Sequence, residues 1–98
     1  MPAAFLGSWD AVGATCHDTD YRSDMALDIS PTSMDFYESS GSVTSVTVNS
    51  PTDVTVDADM SGEGEKWKRT MHMVLTDAGQ ILTIDDGKGG VRKRCPSP

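Results

Sequence analysis

A chain of 98 residues with 15 acidic and 8 basic side chains carries a net charge of −7 and has the size of one small domain. That charge repels polyphosphate and anionic headgroups, which sets aside nucleic acid and membrane surfaces as partners; the basic cluster Arg92-Lys93-Arg94 is too short to track a phosphate backbone. No stretch is long and apolar enough to span a bilayer.

Ten Thr and eight Val against four Leu, with no apolar i, i+3, i+4, i+7 pattern between caps, leave little room for helices. Alternation of period two takes their place. The first strand is expected from Phe5, through "AFLGSWDA". In "DMALDIS", Met25, Leu27 and Ile29 share one face and Ala26 and Asp28 the other, as in a half-buried strand. "SMDFYES" sets Met34 and Phe36 against Asp35 and Tyr37. "SVTSVTVN" puts Val46 and Val48 on one face with Val43 out of phase, which implies a bulge or a twist. "DVTVDADM" alternates most cleanly, with Val54, Val56, Ala58 and Met60 on the apolar side. "EKWKRTMHMVLT" is expected to turn Trp67, Met71, Met73 and Leu75 inward and Lys66, Lys68 and His72 outward. Arg69 falls on the apolar side, placing it near a barrel mouth or at a local register shift. The last strand runs through Val91 to Arg94.

The clusters "SPTS", "SSGS", "NSPTD", "SGEGE", "TDAG" and "DDGKGG" are short turns, and short turns join neighbouring antiparallel strands. The fold class is therefore all-β, an eight-stranded antiparallel up-and-down meander. Such a sheet has two open edges unless it closes, and eight strands close around an interior about as wide as packed side chains. The chain is expected to be a single barrel domain over residues 1–98, with residues 96–98 a mobile tail. Closure sets the first strand beside the eighth and brings Cys16 near Cys95. A disulfide there would staple a thin core, the alternative being two separate buried thiols.

Gly7-Ser8-Trp9 at the start of the first strand, with an arginine on the last, resembles the calycin group: lipocalins, avidins and the small bacterial metalloproteinase inhibitors. The resemblance implies that Trp9 closes the barrel floor beneath a basic side chain, Arg92 or Arg94, and that Gly7 gives the backbone freedom where the chain enters. Physically, a tryptophan is the largest apolar plug available, and a desolvated guanidinium over its face adds roughly 1–2 kcal/mol. Length and paired cysteines look most like the proteinase inhibitors, which are periplasmic and insert an N-terminal segment into the protease cleft. That likeness implies a periplasmic or secreted protein with its export signal removed, and a contact segment in Ala3, Ala4, Phe5 and Leu6. Biotin binding lacks support, since Trp67 alone remains as an aromatic wall.

Other groups are weaker. Asp18, Asp20 and Asp24 share a loop, but Arg22 and Ser23 stand where a calcium loop needs an acidic ligand and glycine, so a solvated acidic loop is the better reading and no metal is expected. Cys16 and His17 are adjacent and would leave a strand on opposite faces, which prevents a nucleophile–base pair. His72 has no second ligand at metal spacing. No hydrolase, metalloprotease or phosphate-loop motif occurs, and neither enzyme activity nor a cofactor is expected. Glu38, Glu63 and Glu65 lie in turns and offer an acidic lip for a basic partner, or serve simply as soluble turns. The expected function is a monomeric exported protein that binds another protein, with a protease the candidate, through its N-terminal segment and adjacent loops. The rivals are a small apolar ligand carrier, which the Met, Val, Leu and Phe filling disfavours, and a structural envelope protein.

Overall fold

The computed structural model describes residues 1–13, 16 and 24–96. Eight antiparallel strands follow one another in chain order and close into a barrel: β1 (Gly7–Ala11), β2 (Leu27–Ile29), β3 (Ser33–Phe36), β4 (Ser39–Ser50), β5 (Asp53–Gly62), β6 (Glu65–Thr76), β7 (Ile81–Ile84) and β8 (Val91–Arg94). The seam is an antiparallel ladder in which Trp9 faces Arg94 and Ala11 faces Arg92. Closure pairs the two terminal strands with each other and so satisfies their backbones. Cys95 extends the seam by donating its N–H to Ser8 at 2.8 Å, and it is bonded to Cys16 with the two Cα atoms 5.7 Å apart.

Inward side chains fill the barrel. Trp9, Phe5, Leu27, Met34, Met71, Met73, Leu82, Ile84, Val54 and Val56 are completely buried and belong to one cluster with Ile29, Ala58, Met60 and Leu75. Four methionines in that cluster suit a tapering interior, because unbranched thioethers adapt to irregular gaps. Met25, expected on the same strand face as Leu27, lies instead in the turn before β2 and is half-buried. The first strand also begins later than expected: Ala3–Phe5 form a short 3-10 turn, and extended pairing starts at Gly7.

The phase break at Val43 is a bulge. Pairing of β4 with β5 shifts between Val43 and Ser45, so Val43 and Val46 both pack on the core despite their odd spacing. A second shift follows Val48, which is 58% exposed at the end of the strand rather than sharing the inward face of Val46.

Strand lengths differ widely. β4, β5 and β6 have 12, 10 and 12 residues, whereas the other five have three to five. The 65–72 part of β6, at the β5–β6 hairpin, therefore projects past the end of its pairing with β7. Trp67 keeps the inward phase of Met71 and Met73 but sits on this projection, where it is 40% exposed instead of buried. On the outer face of the same sheet Asp53 accepts hydrogen bonds from Asn49 and lies 2.7 Å from His72 Nε2. Those contacts, Asn49 first, hold the Asp53 carboxyl below its ordinary value. A carboxyl depressed in the folded state supports folding at pH values above its unfolded range, and that support is lost as the pH falls through the folded value. Asn49→Ala should accordingly be less stable than the wild type near neutrality, with the difference shrinking as the pH falls through the carboxylate range, as followed by urea denaturation and circular dichroism at several pH values.

Candidate functional site

Antiparallel order fixes what each end of the barrel contains. One end, the floor, gathers the N-terminal segment and the β2–β3, β4–β5 and β6–β7 turns; the other, the mouth, gathers the end of β1 and the β3–β4, β5–β6 and β7–β8 connections.

The floor is a closure device. Arg94 stacks over Trp9 with its guanidinium carbon 4.3 Å from the ring centroid. Its Nη1 donates to the Leu6 carbonyl at 2.7 Å, Nη2 to Ala4 at 2.6 Å and Nε to Gly79 at 3.3 Å. Trp9 Nε1 donates to the Phe5 carbonyl at 3.1 Å, so indole and guanidinium together hold the N-terminal 3-10 turn across the barrel end. Gly7 has φ +118°, a left-handed conformation, and a Cβ there would stand 3.3 Å from Arg94 Nη1. Both facts favour glycine at this position. Of the two candidate basic partners, Arg94 takes the role. Arg92 points inward nearer the mouth, where Nε donates to the Met25 carbonyl at 2.7 Å and Nη1 to Gly89 at 2.8 Å. Arg94→Gln should cost about 1–3 kcal/mol, combining the lost cation–π contact with weakened carbonyl bonds, and should loosen the N-terminal turn as seen by hydrogen exchange at Phe5 and Leu6.

The candidate contact residues separate between the two ends. Phe5 is completely buried in the floor and Leu6 is half-buried against the core, while Ala3 and Ala4 are exposed there. Glu38, Glu63 and Glu65 are exposed at the mouth, Glu38 in the β3–β4 turn with φ 61° and Glu63 in the β5–β6 turn with φ 50°. A single flat partner surface cannot cover both sets. The calcium-like loop lies mostly outside the described residues, as do Asp18, Asp20, Arg22 and Ser23; among the described residues no group of His, Cys, Asp or Glu has metal-holding geometry.

The mouth carries the apolar surface that sequence reasoning missed. Five large apolar side chains are exposed among the described residues, and four of them, Val12, Tyr37, Trp67 and Val91, lie at or beside the mouth connections, each at least 40% exposed. An open groove of about 460 Å³ at this hairpin is lined by Met60, Ser61, Lys66, Trp67 and the Asp59–Lys68 ion pair, whose N···O distance is 3.1 Å. Deeper in the mouth, Phe36 has the guanidinium carbons of Arg69 and Arg92 at 5.5 and 5.8 Å from its ring centroid. Arg69 thus lies at the mouth, the first of its two expected positions.

The closed eight-strand barrel is consistent with a small calycin-like barrel. Set against known protein families, curated proteins and solved structures, the chain matches none of them.

Proposed function

We propose that this protein is a non-enzymatic, exported binding module of calycin-like type, whose mouth-end connections engage a protein partner, with a secreted protease as the candidate. The observation that carries the reading is the grouping of Val12, Tyr37, Trp67 and Val91 at one end of a barrel whose interior is already filled by its own side chains. Aromatic side chains presented on a rigid sheet are effective interface anchors because little conformational entropy is lost on contact. Glu38, Glu63 and Glu65 surround that surface and would select a partner with a basic rim. The Cys16–Cys95 disulfide suits an oxidising compartment, which supports export. The N-terminal segment contributes through Ala3 and Ala4 only if a partner also reaches the floor.

A panel of secreted proteases, assayed with the wild type and with Trp67→Asp, tests the reading. The expected result is inhibition or a stable complex with at least one protease, weakened roughly tenfold or more by Trp67→Asp, a loss typical of an interface anchor. Absence of inhibition and of any complex across the panel would remove the protease as partner.

A further inference from the structure

The groups deepest in the mouth have an unusual charge balance. Arg92 is 5% exposed and forms no ion pair among the described residues; its Nε and Nη1 are spent on two backbone carbonyls. Arg69 converges on the same place. Its Nη2 lies 3.2 Å from where a Cβ on Gly89 would stand, and Gly89 is the residue whose carbonyl accepts from Arg92. Both guanidinium groups also approach one ring, that of Phe36. Two adjacent glycines make this convergence possible: side chains at Gly89 and Gly90 would run into Ile84 and Arg69 at the first position and Met25 and Arg92 at the second.

Among the described residues the local charge is offset only in part. Asp85 Oδ2 lies 3.7 Å from Arg69 Nη2, a loose pair, and its Oδ1 is committed to the His72 N–H at 2.9 Å. Asp10 attracts Arg92 from the neighbouring strand, but burial and the repulsion of Arg69 outweigh it, and Arg92 is held below the ordinary arginine range. A buried cation beside a second cation is costly unless an anion completes it.

We propose that Arg69 and Arg92, both packed against the Phe36 ring, form a site for a small carboxylate anion at the barrel mouth. Arg92 Nη2 and the remaining Arg69 nitrogens are the donors left for the ligand, a number that suits the two oxygens of a carboxylate. The net charge of −7 disfavours a phosphate dianion more than a monoanion. Arg69 can present a planar guanidinium edge that matches a carboxylate, Arg92 adds a single Nη2 donor, and burial strengthens each bond. The site lies deeper in the same mouth than the partner surface above, and its argument does not depend on that reading.

The test is a ¹⁵N NMR titration of the intact protein with sodium acetate at constant ionic strength, against sodium chloride, following the amides of Gly89 and Gly90 and the Nε–H signals of both arginines. The expected response saturates with acetate and not with chloride. Arg69→Gln, at a half-exposed position, should weaken binding by roughly tenfold or more, and Arg69→Lys should restore part of it. Agreement of the Gly89 and Gly90 signals before acetate is added reports that the variant barrel is intact. A response that is linear, shared with chloride, or unchanged in Arg69→Gln would overturn the site; inorganic phosphate binding more tightly than acetate would overturn the carboxylate assignment.

Discussion

Trp9→Ala should remove a large part of the fold's stability. The indole is completely buried, stacks under Arg94 and holds the Phe5 carbonyl, so its loss empties the floor, removes the ring under the guanidinium and frees a backbone carbonyl at once. Truncating a buried aromatic costs about 3–5 kcal/mol, and the cation–π contact adds about 0.5–2 kcal/mol. A domain of this size has only about 5–15 kcal/mol in all. Urea denaturation should show a midpoint lowered by half or more for Trp9→Ala, with Trp9→Phe between it and the wild type. A Trp9→Ala midpoint within a few tenths molar of the wild type would show that the floor is not closed by this residue.

Reduction of Cys16–Cys95 should have a comparable effect by a different route. The bridge spans 79 positions and so constrains most of the unfolded chain. In the chain-entropy account a loop of that length is worth about 3–5 kcal/mol, which lowers Tm by roughly 15–30 °C in a domain of this size. Cys16→Ser/Cys95→Ser should reproduce the drop under oxidising conditions, and the wild type should show it only with reductant. Equal Tm values for the two proteins without reductant would contradict the staple. The barrel should survive the loss at low temperature, because the seam ladder from Trp9 to Ala11 and the Cys95 N–H bond to Ser8 do not need the sulfurs.

Local alternation made the strands legible. Val54, Val56, Ala58 and Met60 are buried as their phase demands, and the out-of-phase Val43 does mark a bulge. What alternation cannot convey is height along the barrel. Trp67 has the inward phase, yet it is exposed because β7 pairs with β6 only over residues 73–76 and leaves the Trp67 end of β6 uncovered, and relative strand length is a property of the whole sheet. The choice between Arg92 and Arg94 was open for the same reason: residues two apart on a strand share a face, and only the register of β1 against β8 sets Arg94 opposite Trp9. The early start assigned to the first strand failed because a three-residue 3-10 turn is too short to leave a periodic signal.

The candidate site was less legible than the fold. Glu38, Glu63 and Glu65 could be assigned to turns by composition, and counting turns along the meander would have placed them at the end opposite Ala3–Leu6. Alternation put Phe36 and Arg69 on apolar faces one by one, but their convergence with Arg92 was not legible, since it joins β3, β6 and β8 across the interior, through the space left by Gly89 and Gly90. Exposure of Val12, Tyr37 and Val91 was equally hidden, because it depends on where each strand ends relative to the rim.

The reading of the mouth as a protein-binding surface is tested most directly by native mass spectrometry of the protein isolated from its own host, with wild type and Trp67→Asp side by side. The expected wild-type spectrum contains a stoichiometric complex with a second protein, and the Trp67→Asp spectrum contains the free barrel. Free barrel in both samples, or a barrel carrying a small apolar molecule that Trp67→Asp leaves in place, would contradict the account and return the function to a carrier or structural role.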